Sequence, residues 1–325
     1  MKERKISYTS ADALPAKLIM DKDVRDSVAN KLIPPIHAQF IPTNYCNLNC
    51  SFCSCSEEDR TKQMKLNKAK VIIEDLAELG TKAVTITGGG EPFMHKHINE
   101  IITHFGENRI KVGLVTNGLL LRRLDDIAAQ AVTWCRISSG DDREFSDDYK
   151  ESLHKVVTKF PKIDWAFSHV TSSEPNVNTI TKLQQFANDH NFTHVRYVAD
   201  LFNPADVDMG LLRCAIADAG VDDSIAIYQG RKEPRRGSDC YIGYLKPLIS
   251  ADYKVYACCG VQYALKTPSK KLPDELCLGS AFDLEKIMQN SNTPLDGSIC
   301  ARCYYTDYNN ILEILLSDID HKEFV

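Results

Sequence analysis

The sequence lacks long apolar runs and any strong excess of charge of one sign. No stretch of its 325 residues approaches the ~18 consecutive apolar residues that a membrane-spanning helix needs, so we expect no membrane span. The N-terminal segment MKERKISYTS is charged and no apolar run follows it, which argues against a secretory signal peptide. The formal net charge is only −5, which does not favour a general nucleic-acid-binding protein. We therefore expect a cytoplasmic protein that does not bind a membrane.

Low-complexity tracts and repeats longer than one strand–helix unit are also absent. Up to residue 200, short apolar segments typical of buried parallel strands alternate with segments of helical periodicity. The predicted strands are 37–41, 82–87, 110–116, 132–138, 163–170 and 194–200, and the predicted helices are 68–80, 95–105, 119–130, 147–160 and 178–190. Repeated units of this kind build a parallel sheet with right-handed crossovers. We predict an α/β fold in which residues 36–203 form a partial (β/α)6 barrel.

The pattern changes after residue 200. A helix is predicted at 206–219, a hairpin within YLKPLISADYKVYACC (244–259) with its turn at 250–252, and a last helix in NNILEILLSDI (309–319). Apolar periodicity is weak here, and small regions with weak cores are commonly held together by metal. We divide the chain into an N-terminal extension (1–35), the barrel (36–203) and a small α+β domain (204–325) that holds a metal centre.

The twelve cysteines are unevenly distributed. Four lie between residues 46 and 55 and six between 240 and 303, so that only Cys135 and Cys214 fall outside the two groups. In a reducing compartment, clustered cysteines are more often metal ligands than disulfide partners. The distribution predicts two metal sites in two regions of the chain.

The first group contains CNLNCSFC, which places Cys46, Cys50 and Cys53 in one predicted loop after the first strand. A disulfide uses two cysteines and a closed structural zinc site uses four ligands, whereas three thiolates leave one position open. The alternatives are a chance match and a zinc knuckle with Cys55 as the fourth ligand.

The spacing C-x-x-x-C-x-aromatic-C, in which Phe52 is the aromatic residue, resembles the signature of the radical S-adenosylmethionine (SAM) superfamily. The resemblance implies a 4Fe-4S cluster on the three thiolates with SAM bound to its fourth iron. It further implies that an electron from the cluster cleaves SAM to methionine and a 5′-deoxyadenosyl radical, which abstracts a substrate hydrogen. A donor such as flavodoxin or ferredoxin would supply the electron. Cys55 lies outside the signature and is expected to be a bystander.

Later strand ends extend the resemblance. TGGGEP (87–92) is similar to the family's GGEP segment, which holds the SAM amino group, and one extra glycine, Gly88, precedes the alignment. The SAM-contacting positions that the resemblance implies are Phe52, Gly89, Gly90, Glu91, Asn117 and Ser138, with Glu91 suited to the ammonium and Ser138 to the ribose. Ordinary turns and a strand-end serine are the alternatives for Asn117 and Ser138.

The second cysteine group resembles the Twitch form of the Twitch and SPASM extensions that follow many radical SAM barrels. The resemblance implies an auxiliary 4Fe-4S cluster on Cys240, Cys258, Cys300 and Cys303. Adjacent Cys259 could replace Cys258, and we do not expect Cys277 to be a ligand. A structural zinc ion on the same four cysteines is the alternative.

The sequence does not name a substrate, and three reactions stay open. The first is oxidation of a small molecule such as a sugar or aminocyclitol, with the auxiliary cluster accepting an electron. The second is epimerisation, for which Cys214, Cys259 and Cys277 are spare hydrogen-donor thiols. The third is modification of a ribosomal peptide, which the short segment of about 35 residues before the first strand does not favour, because such enzymes often carry a leader-binding domain.

A non-enzymatic reading is a zinc or iron–sulfur protein that contacts RNA. Its best support is the basic run KEPRRG (232–237), although such a run is more often a solvated loop. GGGEP has no role in that reading. A small-molecule substrate is therefore the expected partner, and nucleic acid is not.

Overall fold

The fold is that of a computed structural model, which describes residues 14–200, 202, 207–230, 235–318 and 320. Part of the predicted N-terminal extension (1–13), the predicted boundary at 203/204, the predicted helix start at 206, the predicted helix end at 319 and the first three residues of the basic run lie outside these residues. Within these ranges, no helix combines the length and apolar character needed to cross a membrane.

The strands and helices alternate through the first two thirds of the chain, as the apolar pattern predicts. The strands are β1 (His37–Phe40), β2 (Ala83–Ile86), β3 (Lys111–Thr116), β4 (Val132–Gly140), β5 (Asp164–Thr171), β6 (His194–Ala199), β7 (Ala226–Gln229), β8 (Asp239–Cys240), β9 (Leu248–Ile249), β10 (Lys254–Tyr256), β11 (Cys277–Ser280) and β12 (Leu295–Asp296). The helices are α1 (Leu14–Met20), α2 (Lys22–Ala29), α3 (Leu66–Glu78), α4 (Ile98–Glu107), α5 (Asp147–Lys159), α6 (Val177–Asp189), α7 (Met209–Asp218), α8 (Ile242–Leu245), α9 (Val261–Ala264), α10 (Leu284–Met288) and α11 (Thr306–Leu316).

The prediction of an α-helix at 119–130 is wrong. The structure has only two short 3-10 segments there, Leu121–Arg123 and Ala128–Ala131. Asp125 lies between them, and its Oδ1 accepts hydrogen bonds from the backbone amides of Ile127 and Ala128 at 3.1 and 2.8 Å. A side chain that captures nearby amides in this way competes with a continuous helical ladder.

Ten of these strands form one sheet in the order β11-β10-β9-β1-β2-β3-β4-β5-β6-β7, and β8 pairs with β12 in a separate antiparallel sheet. All neighbours from β1 to β7 are parallel, so the mostly parallel α/β fold is confirmed. β7 is a seventh parallel strand that the sequence analysis did not predict. β9 pairs in parallel with β1, so the predicted hairpin β9–β10 extends the same sheet.

Residues alternate between the two faces of this sheet, as strand geometry requires. The outward residues pack under the helices in the main core, and they include Phe40, Ile86, Leu114, Ile137, Phe167 and Tyr197. The intervening residues face the concave interior and are more polar. His37 and Thr85, for example, meet there with 2.8 Å between Nε2 and Oγ1.

Candidate active site

The loop after β1 carries the three cysteines of the first group. Cys46, Cys50 and Cys53 are all half-buried. The backbone amide of Leu48 points at Cys46 Sγ and that of Cys55 at Cys53 Sγ, each at 3.4 Å. Amide donors directed at sulfur stabilise the thiolate, which is the form that binds iron. The donor set therefore fits a metal centre with an open side.

Without a metal, the thiols of Cys46 and Cys50 hold their protons. Burial raises the pKa of Cys46, and it raises the pKa of Cys50 to about 11. Neighbouring negative charge adds to this effect: Glu91 near Cys46, Asp142 near Cys50 and the other thiols of the loop. A metal that binds here must displace protons, so its affinity should increase with pH.

The glycine segment after β2 packs directly against the cysteine loop. Gly90 donates to Thr43 O at 2.9 Å and Glu91 donates to Tyr45 O at 2.7 Å through their backbone amides. A Cβ on Gly89 would lie 1.9 Å from Asn44 Oδ1, and one on Gly90 would lie 2.0 Å from Tyr45 O. Only glycine permits this approach, which brings the GGGEP backbone beside the cysteines.

Glu91 connects the ends of β2 and β3. Its side chain is buried, and it accepts hydrogen bonds from Thr116 Oγ1 (2.6 Å), Asn117 N (2.7 Å) and Phe93 N (3.1 Å). Burial raises the pKa of Glu91, and the hydrogen bonds from Asn117, Thr116 and Phe93 oppose that rise. Both carboxylate oxygens already have protein donors, so contact with an ammonium would have to share them.

Asn117 connects β3 to the cysteine loop. Its Nδ2 donates to Oδ1 of Asn47 in the cysteine loop at 2.7 Å. Its carbonyl accepts from Tyr149 Oη at 2.8 Å and from Arg143 Nη2 at 3.0 Å. Ser138, on β4, is half-buried and donates to Thr116 O at 3.3 Å.

Arg143 and Tyr149 are site residues that the sequence reasoning missed. Arg143 Nη1 also donates to the Ser138 carbonyl at 2.7 Å, so this arginine joins the ends of β3 and β4. The available signal was the position of Arg143 in SSGDDR, immediately after β4, where parallel α/β folds place functional residues.

Phe52 lies against β4 rather than free in the loop. A Cβ on Gly140 would lie 2.1 Å from Phe52 Cε1, so the ring covers that glycine. Ser51 N donates to Asp142 Oδ2 at 3.2 Å beside it. The last turn of the cysteine loop is therefore fixed against the end of β4.

The second cysteine group surrounds a cavity of about 130 Å³. Four of its lining residues are Cys240, Cys258, Cys300 and Cys303, the set that the sequence predicts, and Cys277 lines it as well. Amides of Gly260 and Tyr305 point at Cys258 Sγ and Cys303 Sγ, each at 3.4 Å. Burial raises the pKa of both Cys240 and Cys300 to about 11. Four cysteines around one cavity fit a metal cluster.

Across the described ranges, no three His, Cys, Asp or Glu side chains come close enough to hold one metal ion. A zinc ion needs its sulfur ligands at about 2.3 Å from one point. The cysteines of the second group instead line a cavity, and their side chains do not converge on one point as a single zinc ion requires.

The other cysteines have distinct surroundings. Cys259 does not line the cavity, and its Sγ lies 2.6 Å from Tyr305 Oη. Cys214 is exposed on α7, away from the barrel interior. Cys55 is buried, and Gln262 Nε2 donates to its Sγ at 3.5 Å.

The region around residues 262–272 contacts the first cysteine loop. Leu272 N donates to Glu58 Oε1 at 2.6 Å, and Glu57 N donates to Lys270 O at 3.0 Å. Ile41, at the end of β1, shares a small apolar cluster with Leu248 and Tyr256. The two cysteine groups therefore belong to segments that pack together.

Comparison with known proteins agrees with this arrangement. Residues 40–166 match the family model of the Radical SAM superfamily. The chain is 31% identical over 126 residues to a probable GTP 3',8-cyclase of Methanocaldococcus jannaschii, covering 38% of this chain and 40% of that protein. It is 33% identical over 101 residues to the subtilosin biosynthesis protein AlbA of Bacillus subtilis, covering 31% and 22%. It thus spans less than half the length of these curated relatives.

Two solved structures share the fold over most of the chain. Streptococcus suis SuiB bound to S-adenosylmethionine superposes with a TM-score of 0.55 at 15% identity, covering 82% of this chain and 69% of that one. The enzyme anSMEcpe with bound AdoMet and a peptide gives a TM-score of 0.50 at 12% identity, covering 80% and 84%. The radical SAM family uses a 4Fe-4S cluster and SAM. The family match includes the strands that carry the cysteine loop and GGGEP, so this part of the chain is similar to the radical SAM superfamily.

Proposed function

We propose that the chain is an enzyme that reductively cleaves SAM and uses the resulting radical to remove a hydrogen atom from a substrate. The observation that carries the proposal is the convergence of the cysteine loop, GGGEP, Asn117 and Ser138 at one edge of the parallel sheet. In this proposal Cys46, Cys50 and Cys53 hold the cluster.

A cluster bound there supplies one electron to SAM, and the protein contributes position. Gly89 and Gly90 lie beside the cysteine loop, and their backbone carbonyls would accept from the SAM ammonium. Glu91 holds Asn117 and Thr116 in place through its hydrogen bonds, and it adds negative charge near the ammonium. Ser138 faces the same edge and can contact the ribose, and Phe52 packs beside it.

The first test is iron content after anaerobic reconstitution. Two clusters give about eight irons and eight sulfides per chain. A variant with alanine at Cys46, Cys50 and Cys53 should keep about half, and Cys214→Ala serves as the matched control because that thiol is exposed on α7. If the triple variant keeps all of its iron, the ligand assignment is wrong.

The second test is cleavage of SAM. Reduced, reconstituted protein should form 5′-deoxyadenosine and methionine in equal amounts, and the triple variant should form neither. Glu91→Gln should weaken SAM binding while the first cluster's absorbance stays unchanged, because the lost charge faces the ammonium. Unaltered SAM affinity in Glu91→Gln would show that Glu91 does not contact SAM and only holds Thr116 and Asn117 in place.

We further propose an auxiliary 4Fe-4S cluster on Cys240, Cys258, Cys300 and Cys303. The cavity lined by these four cysteines supports it, and so does the contact of Cys259 Sγ with Tyr305 Oη instead. The alternative, zinc on the same four residues, gives colourless protein at this site. A brown triple variant of Cys46, Cys50 and Cys53, absorbing near roughly 400 nm, supports the cluster.

For the reaction, we propose oxidation or epimerisation of a small molecule, with flavodoxin or ferredoxin as electron donor. Of the three spare thiols, Cys259 is the one placed beside the barrel interior, since it acts electrostatically on the interior residues Arg136 and Arg196. That position favours Cys259 as hydrogen donor if the reaction is an epimerisation.

Peptide modification is the second candidate function. Relatives named for peptide chemistry favour it, among them AlbA and a PqqA peptide cyclase of Bradyrhizobium diazoefficiens, 32% identical over 100 residues. Deuterium transfer into 5′-deoxyadenosine distinguishes the candidates when deuterated sugars, cyclitols and peptides are compared. Transfer from a peptide alone would replace the small-molecule proposal.

A further inference from the structure

Two arginines face the interior of the barrel. Arg136 lies on β4 between Cys135 and Ile137, which pack in the core under the helices. Arg196 lies on β6 between Val195 and Tyr197, which also pack in that core. Because side chains alternate along a strand, both guanidinium groups extend into the concave interior.

Few protein groups in the barrel interior stabilise the positive charges of these two arginines. Arg196 donates to Ser168 Oγ at 3.1 Å through Nη2 and at 3.4 Å through Nε. Arg136 Nε is buried and has no hydrogen-bond partner, and its guanidinium lies 5.5 Å from the centre of the Trp134 ring. Among the described residues, no carboxylate forms an ion pair with either arginine, and only cysteine side chains favour the charge of Arg136.

Both arginines are half-buried, and holding two like charges there without a counter-charge is energetically unfavourable. Burial lowers the pKa of Arg136 to about 9, and the neighbouring Arg196 lowers it further in the same direction. A buried cation is normally retained where an anion pairs with it. The Arg136 Nε donor, buried and without a protein partner, leaves its pairing to a ligand.

We propose that Arg136 and Arg196 bind an anionic group of the substrate, a carboxylate or a phosphate, inside the barrel. Planar guanidinium groups bind both anions with two parallel hydrogen bonds, and Arg136 Nε is free to form one of them. The assignment of this anion to the substrate rests on the proposed radical SAM function.

The position separates this anion from the expected SAM site. Ser138 is two residues beyond Arg136 on the same face of β4, a distance of about 7 Å along the strand. Arg196 on β6 is level with Ser138, since both pair with Ser168 of β5, so one intervening strand and not depth separates Arg196 from Ser138. The substrate would reach from the arginines toward the radical at the mouth. SAM has a carboxylate of its own, so that source must be tested separately.

The first experiment measures binding of inorganic phosphate and of malonate to anaerobically reconstituted protein by calorimetry. We expect Arg136→Gln and Arg196→Gln each to raise the dissociation constant of the bound anion at least about tenfold, the effect of losing a charged hydrogen bond. The control is Arg213→Gln on α7, whose side chain is 69% exposed, and it should change the constant less than about twofold. Absence of binding to the wild-type protein, or equal binding by the glutamine variants, overturns the proposal.

The second measurement assigns the source of the anion. The dissociation constant of SAM should change less than about twofold in Arg136→Gln, because the anion belongs to the substrate. If SAM binding weakens as much as anion binding, the arginines hold the SAM carboxylate and the proposal is wrong. Failure of the wild-type protein to cleave SAM would refute the radical SAM function, while the anion titrations would still be interpretable.

A third measurement distinguishes binding from a structural role. Without anion, Arg136→Gln should raise the melting temperature by a few degrees, because it removes a buried and unpaired charge. Phosphate should raise the melting temperature of the wild-type protein more than that of the variant. A lower melting temperature for anion-free Arg136→Gln would show that Arg136 supports the fold and would overturn the proposal.

Discussion

At the scale of single residues, the packing of Phe52 on Gly140 links the cysteine loop to the sheet. The aromatic residue of the motif has a structural reason to be flat and apolar, because it covers a position with no side chain. Gly140 does not have a positive φ, so its backbone conformation tolerates a side chain. A substitution there therefore acts only through the contact of the new side chain with Phe52. This makes the contact open to a specific test.

Gly140→Ala should displace the Phe52 ring and loosen the loop of the first cluster. Overpacking of this kind costs about 1–3 kcal/mol. We expect less iron per chain after gel filtration and a lower melting temperature. Gly230→Ala is the matched control, because a Cβ there would have no atom within 4 Å. Equal iron content in the two variants would contradict this role for Phe52.

The adjacent cysteines 258 and 259 should differ in function. Cys258 lines the cavity and receives an amide hydrogen bond, whereas Cys259 contacts Tyr305. We therefore expect Cys258→Ala to lose about half of the iron of a two-cluster protein and Cys259→Ala to keep it. Iron analysis of the two variants, each the control for the other, decides the assignment. If only Cys259→Ala lost iron, Cys259 and not Cys258 would be the cluster ligand.

At the scale of elements, Asp141 joins the loop after β4 to the loop after β5. Its carboxylate accepts from His169 Nε2 (2.8 Å), Ser172 N (2.7 Å) and Asn176 N (3.0 Å). Burial alone would raise the pKa of Asp141, but these hydrogen bonds outweigh burial and hold it below its usual value. A carboxyl group whose pKa is lowered by folding stabilises the fold above its unfolded pKa.

The contribution of Asp141 should therefore vanish in acid. We expect Asp141→Asn to destabilise the protein by about 1–3 kcal/mol at neutral pH, since buried donors lose a charged acceptor. The difference from wild type should shrink as the pH falls through the lowered pKa, below about 4. Denaturant titrations at several pH values measure it. Asp218→Asn, at an exposed position, is the control, and a pH-independent difference for Asp141→Asn would contradict the argument.

Elements were predictable where the pattern was local. The six strands up to residue 200 follow from short apolar runs, and the four helices α3 to α6 follow from periodicity in their sequence. The segment 119–130 failed because Asp125 captures two amides, an effect that apolar spacing does not register. The four candidate ligands of the second group were expected from the resemblance, and the structure places all four around one cavity. The arginine pair was not expected, because β4 and β6 come to lie on either side of β5 only in the folded sheet.

At the scale of the whole molecule, the second cysteine region packs against the first. Contacts from residues 262–272 to the loop of the first cluster place the two sites in one structure. A cluster on Cys240, Cys258, Cys300 and Cys303 would also connect segments that are far apart in sequence. The region can thus affect both stability and turnover.

Replacement of Cys300 and Cys303 by alanine should separate these two effects. The variant should be less stable, because the connection between segments is lost. It should still cleave SAM to 5′-deoxyadenosine, since the first group of thiols is intact, and it should fail to convert substrate. The measurements are product analysis and thermal unfolding, with Cys214→Ala as control. Normal conversion by a folded variant would make the second site structural.

The pairing of β1 with β9 has a consequence for how the chain folds. Gln39 pairs with Leu248, so one edge of the strand that leads into the cysteine loop stays open until residue 248 has left the ribosome. Contacts this distant in sequence slow folding, and an open strand edge is a site for aggregation while it waits. Synthesis in cells should therefore depend on chaperones until the last third of the chain is complete, and fragments that stop before β9 should accumulate in inclusion bodies.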